Sequence, residues 1–172
     1  CDVANGEGVR VSLFVSGCTH HCKECFNKEA WDFHYGNPFT QKEIDRILEY
    51  LKPNYIAGLS LLGGEPMEPV NQEGILPLLR VLIQKVRERF PKKNIWCYTG
   101  YLFDKDVLDK MCKESEVTKE IVSYLDIVVD GEFMIDRKNL KINFRGSDNQ
   151  RIIDVKKTLD AGEIVHWERE IQ

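Results

Sequence analysis

The sequence predicts an α/β fold, an open, partial (β/α) barrel of about five mostly parallel strands with flanking helices. Three observations lead there. Short apolar runs alternate with stretches of helical period, as where Tyr55 to Leu62 gives way to Leu76, Leu79, Leu82, Ile83, Val86 and Phe90. Such alternation builds βαβ units around a parallel sheet. The apolar runs end in glycine turns, at Gly17, Gly63-Gly64, Gly100 and Gly131. Finally, 172 residues fall well short of the ~250 residues and eight strands of a closed barrel.

That length gives one domain, residues 1–172, with a real core. A hydrophobic fraction of 42% and a charged fraction of 30% are those of an ordinary globular chain, and no apolar run approaches the ~20 residues that cross a bilayer. A net charge of -4 with interspersed signs leaves no basic block to track a phosphate backbone. Neither membrane nor nucleic acid is an expected partner. Of the six cysteines, Cys18, Cys22 and Cys25 crowd together and no secretory segment opens the chain. A metal site in a reducing, cytoplasmic compartment is therefore expected rather than a disulfide framework.

In chain order, Val9 to Ser16 alternates and is rich in β-branched and aromatic residues, a strand. The cysteine loop follows at once, and Asn27 to Phe39, with four aromatics and no helical period, reads as an ordered loop. Thr40-Gln-Lys-Glu43 is a capping box, and Ile44, Ile47, Leu48 and Leu51 form one apolar stripe before Pro53 ends the helix. Tyr55 to Leu62 reads as a strand buried on both faces, followed by a long helix ending at Pro91. Asn94 to Thr99 is the next strand, with helices over Asp104 to Lys113 and Thr118 to Leu125. Asp126 to Asp130 is a short buried strand, and Ile152, Ile153 and Val155 carry one more. His166 to Gln172 is assigned no role.

Two motifs carry the chemistry. Cys18-Thr-His-His-Cys22-Lys-Glu-Cys25 supplies three soft thiolates, and such ligands select iron-sulfur clusters, zinc or Cu(I). A four-iron cube normally takes four cysteines, so three leave one position for an exchangeable ligand. The spacing alone also admits a structural zinc site, with His20 or His21 as fourth ligand, or unligated thiols. Gly63-Gly64-Glu65-Pro66 stands at the carboxyl end of the next strand, where α/β folds gather their sites. Its glycines let a ligand approach the backbone, and the strand-end carbonyls with Glu65 suit a positively charged amino group. By itself the four-residue motif reads more readily as a tight turn with a cap.

CxxxCxxC after the first strand and GGEP after the second resemble the radical S-adenosylmethionine enzymes. Longer stretches narrow the resemblance: Asn5 to Cys18, Cys25-Phe-Asn, Trp31-Asp-Phe, Trp96-Cys-Tyr-Thr-Gly-Tyr101, Asp126 to Phe133 and Phe144-Arg-Gly-Ser-Asp-Asn-Gln-Arg151. Together they are similar to the activating proteins of anaerobic ribonucleoside-triphosphate reductase. The resemblance implies the open barrel of the radical S-adenosylmethionine type. It also implies that Cys18, Cys22 and Cys25 bind three irons of a [4Fe-4S] cluster while S-adenosylmethionine chelates the fourth. Implied cofactor contacts are Gly63, Gly64 and Glu65 at the amino group, Glu24 and Phe26 near the adenine, and Asp130 at its strand end. Family members with an aromatic before the last cysteine differ from this chain, which has Glu24 there.

The implied reaction is reductive cleavage of S-adenosylmethionine to a 5'-deoxyadenosyl radical, which takes a hydrogen from a glycine of the partner reductase. A one-electron donor such as flavodoxin is the implied reductant. Rival readings are a radical enzyme acting on a small molecule and a zinc-stapled binding module. On this reading His20 and His21 are surface loop residues and Cys97 and Cys112 are inert buried thiols. Asn5 to Gly8 and Arg145 to Arg151 are either plain turns or contacts to cofactor or partner.

Overall fold

The computed structural model describes residues 1–16, 20, 29 and 39–169, with residues 69–77 described by their backbone alone. Cys18, Cys22, Cys25, Glu24, Phe26, His21 and the aromatic loop at Trp31 lie outside the described residues.

Among the described residues, five strands form one sheet in sequence order, β1 (Val9–Val15), β2 (Ile56–Gly63), β3 (Asn94–Tyr98), β4 (Ile127–Asp130) and β5 (Arg151–Asp154). The first four are parallel and β5 is antiparallel to β4, with Ile127 opposite Asp154 and Asp130 opposite Arg151. The sheet is not closed, and all four parallel strands deliver their carboxyl ends to one edge. Helices α1 (Gln41–Leu51), α2 (Pro69–Arg89), α3 (Cys112–Glu114), α4 (Glu116–Tyr124) and α5 (Val155–Ala161) make the connections. No described helix is long and apolar enough to cross a membrane.

Most elements lie where the periodicity places them, and the exceptions have local causes. The α1 capping box forms, with Glu43 accepting from the Thr40 N–H at 3.0 Å. Helix α2 starts well before Leu76, with a proline in its first turn whose fixed φ suits a helix start. The expected helix over Asp104 to Lys113 is a π-helix at Phe103–Met111 before the short α3 turn. At its start the Leu102 carbonyl accepts from both Asp106 N–H, at 2.9 Å, and Val107 N–H, at 3.1 Å, which opens the turn by one residue. Val155 does not extend the last strand. It opens α5, because the Asp154 side chain caps the Lys157 N–H at 3.0 Å.

Strand alternation divides the side chains between two cores. Val11, Leu59, Leu61, Ile95, Cys97, Val128 and Ile153 face the helices and join one large apolar cluster with Ile44, Leu48, Leu82, Val86, Phe103 and Val107. Trp96, Ile127 and Val129 face the other way, into a smaller aromatic cluster with Tyr98, Phe144, Ile152 and Trp167. Trp167 corrects the expectation for the chain's end: its N–H donates to the Ile152 carbonyl at 2.9 Å and its ring meets Trp96 edge-on at 5.2 Å.

On this second face Arg10 is fully buried. Its guanidinium donates to Ser60 Oγ at 2.8 Å, the Leu59 carbonyl at 2.9 Å, and the Glu7 and Asn94 carbonyls at 3.1 Å, and it lies over the Trp96 ring. Burial draws its pKa down to about 10, against the nearby Tyr98, Asp2 and Asp126, so the cation persists at neutral pH. Gly58 makes room: a Cβ there would come within 2.9 Å of the Arg10 Nη2 and closer still to the Asn94 carbonyl.

Candidate functional site

A cavity of about 620 Å³ opens at the carboxyl ends of the parallel strands. Its wall takes Phe14 from β1, the Gly63-Gly64-Glu65 turn after β2, Tyr98 to Gly100 at the end of β3, and Val129 and Gly131 around the end of β4. The Arg145 to Gln150 loop and Asn5 complete it. The two polar loops that the sequence left between turn and contact therefore both reach the cavity.

The glycines after β2 answer first to the backbone. Gly63 has φ +114, and a Cβ would lie 2.6 Å from Val15 N and closer to its carbonyl oxygen. The Gly64 N–H donates to that same carbonyl at 2.8 Å. Glycine is thus required by the close approach of β1 to the turn, whatever ligand the turn meets.

Glu65, only 1% exposed, is the best-anchored carboxylate on the wall. Oε1 accepts from the Met67 N–H at 2.9 Å and the Thr99 hydroxyl at 2.7 Å; Oε2 accepts from the Gly100 N–H at 2.7 Å and from His20 Nε2 at 2.8 Å. His20 Nδ1 lies 2.8 Å from Glu132 Oε1. Both ring nitrogens thus face carboxylate oxygens, an arrangement that favours the imidazolium form. Burial works against that charge, but the Glu65 hydrogen bond and field, then those of Glu132, raise the pKa to about 9. The ring also meets Tyr101 edge-on at 4.4 Å, and a Cβ on Gly100 would stand 2.7 Å from it.

His20 therefore overturns the expectation of a surface loop residue: its side chain is 9% exposed and held at both nitrogens. The same bonds leave neither nitrogen free to be the fourth zinc ligand that the sequence admitted. Periodicity gave no warning, since the partners are 45 and 112 residues away; two carboxylates after glycine turns were the available signal.

Asp130 stands elsewhere. It is fully buried on the helix-facing side with Val128, behind the cavity wall. Arg151 Nε donates to Oδ1 at 3.0 Å, Arg151 Nη2 to Oδ2 at 2.5 Å, and the Phe103 N–H to Oδ2 at 2.7 Å. Its role in this structure is to close the sheet edge onto the π-helix, while its neighbour Gly131 reaches the cavity. Of the two thiols expected to be buried, Cys97 is and Cys112 is half-buried. Cys97 is 1% exposed, and burial pushes both thiols up, Cys112 less deeply set.

Two residues of the cavity wall, Tyr98 and Arg145, each carry a buried polar atom, Tyr98 Oη and Arg145 Nε, with no hydrogen-bond partner among the described residues. Buried polar atoms are normally paired, but both of these are sealed from solvent behind the wall and do not face the cavity. Phe14, Tyr98, Phe133 and Phe144 supply flat apolar surface, and the volume lies within the ~300–1,000 Å³ of small-molecule sites.

The domain that this arrangement belongs to is described as a 4Fe-4S single cluster domain, whose pattern matches residues 4–153. The chain is 42% identical over 154 residues to the anaerobic ribonucleoside-triphosphate reductase-activating protein of Enterobacteria phage T4, covering 88% of each. It is 39% identical to the proteins of the same name from Pasteurella multocida, over 88% of this chain and 90% of that one, and Escherichia coli K12, over 87% and 90%. The chain belongs to this family of reductase-activating proteins. No solved structure matches it significantly.

Proposed function

We propose that the chain is a radical S-adenosylmethionine activase whose substrate is anaerobic ribonucleoside-triphosphate reductase. When bound, a [4Fe-4S] cluster would supply the electron for reductive cleavage of S-adenosylmethionine, and the hydrogen abstraction that this drives would fall on a glycine α-carbon of the reductase. Such chemistry belongs to the cofactors, and the protein binds, orients and shields them. The observation that carries the reading is the meeting of the two motifs: His20, from within the cysteine stretch, is hydrogen-bonded to Glu65 of the GGEP turn on the wall of one cavity.

Cys18, Cys22 and Cys25 supply the thiolates, a donor set suited to iron-sulfur clusters. Gly63 and Gly64 meet the amino group of S-adenosylmethionine, with Glu65 as a fixed negative charge behind them. With four donors on its two oxygens, that carboxylate acts through its field and its hold on the turn. Glu24 and Phe26 border the adenine, and the aromatic wall of Phe14, Tyr98, Phe133 and Phe144 suits the rest of the nucleoside. Asp130 serves at one remove, fixing the strand end from which Gly131 enters the cavity. A docked reductase loop would exclude water from the radical, and a flavodoxin-like donor suits the one-electron supply.

The test is anaerobic reconstitution followed by reduction with S-adenosylmethionine and the reductase. A glycyl radical in the magnetic resonance spectrum is expected, and Cys18→Ala, Cys22→Ala and Cys25→Ala should each abolish it. Zinc without iron or sulfide, or deuterium transfer from a small molecule and none from the reductase, would overturn the reading.

A further inference from the structure

His20 stands between the two motifs and is assigned nothing by the chemistry above. It touches the loops after three other strands: Glu65 after β2, Tyr101 after β3 and Glu132 after β4, while its own segment follows β1. Few side chains can do this. A planar ring with two opposed nitrogens spans two carboxylates on opposite sides, whereas Lys or Arg would bring a longer, differently shaped head. The space is cut to fit, since Gly100 has no room for a Cβ against the ring. The Gly100 N–H completes the joint by donating to the same Glu65 oxygen that His20 holds.

We infer that His20 is a positioning residue that pins the cysteine loop to the Gly63-Gly64-Glu65 turn and to Glu132, holding the cluster-bearing loop in register with the cavity wall. The inference rests on the proposed activity for what is bound there, but the pin itself is a property of the chain. His20 does not ligate metal and does not meet the reacting atoms. It sets where the cysteine loop stands relative to the wall that receives S-adenosylmethionine, as outer partners orient ligands at other metal sites.

The experiment compares wild type, His20→Gln and Glu132→Gln by amide hydrogen exchange before cluster loading. Iron and sulfide content and the S-adenosylmethionine dissociation constant, read from the reduced cluster's magnetic resonance spectrum, follow after loading. His20→Gln is expected to keep iron and sulfide near wild type while weakening S-adenosylmethionine about tenfold to 100-fold. It should also speed exchange at Gly100 about tenfold as the joint opens locally. Iron content that holds while affinity falls separates positioning from a general loss of structure. Unchanged exchange at Gly100 overturns the pin, as does wild-type affinity for S-adenosylmethionine in His20→Gln. If His20→Gln fails to fold or load, Glu132→Gln decides, because that carboxylate is 55% exposed: an affinity loss of about threefold with faster exchange supports the inference, and wild-type behaviour overturns it. Should wild type itself show no spectral response to S-adenosylmethionine, the proposed activity fails while the exchange comparison still decides the pin.

Discussion

Glu65 and Asp130 are two acidic residues at the carboxyl ends of β2 and β4, with β3 between them, both buried and both hydrogen-bonded at each oxygen, yet they do different work. Glu65 faces the cavity, and its donors come from a loop cysteine segment, a β3 loop and its own turn. Asp130 faces the helices, and its donors are Arg151 on the adjacent antiparallel strand and the first amide of the π-helix. One side chain joins loops to one another; the other joins scaffold to scaffold. Burial and hydrogen bonding alone do not mark a functional carboxylate, because which face of the strand it occupies decides what it holds.

That contrast can be broken most forcefully on the scaffold side. Asp130→Ala should lower unfolding stability by about 3 kcal/mol in a denaturant titration, since it leaves Arg151 with only the partly exposed Asp104 and the buried Phe103 N–H with no acceptor. Replacing both partners, as Asp130→Leu with Arg151→Met, should recover much of that loss, because an apolar pair has no charge to strand.

Gly63→Ala should follow, at about 2 kcal/mol, from strain at φ +114 and the collision with Val15. Glu65→Gln sharpens the comparison from the site side. It keeps the shape but replaces one accepting oxygen by an NH2 that cannot accept from the donors there, so stability should fall by about 1 to 2 kcal/mol while glycyl-radical formation falls about tenfold or more. Equal proportional losses of stability and activity at Glu65 and Asp130 would erase the distinction between them.

The smallest effect is expected in acid. The Arg151 hydrogen bond, against slight burial, holds Asp104 below its ordinary value of 3.8. A carboxylate with a lowered folded-state pKa adds stability above its unfolded value and loses it as pH falls through the folded one. Thermal midpoints measured downward from pH 5 should therefore converge for wild type and Asp104→Asn. The difference at neutral pH should be within about 1 kcal/mol, since both partners are partly exposed.

The sequence by itself determined what depends on near neighbours. The periods of two and of 3.6 placed β1 to β4, α1 and α4, Thr40 with Glu43 capped α1, and the cysteine and GGEP motifs fell directly after their strands. Each of these is a local preference, written in residues a few positions apart. What only the tertiary structure decided are the pairings between distant segments: His20 with Glu65 and Glu132, Asp130 with Arg151, Trp96 with Trp167, and β5 running against β4. A side chain's type says that it can bond, but its partner is set by which strand ends the sheet order brings to one edge. For that reason a histidine that read as surface stands at the joint of the site, and the strand-end aspartate Asp130 is paired with Arg151 from a strand 21 residues on.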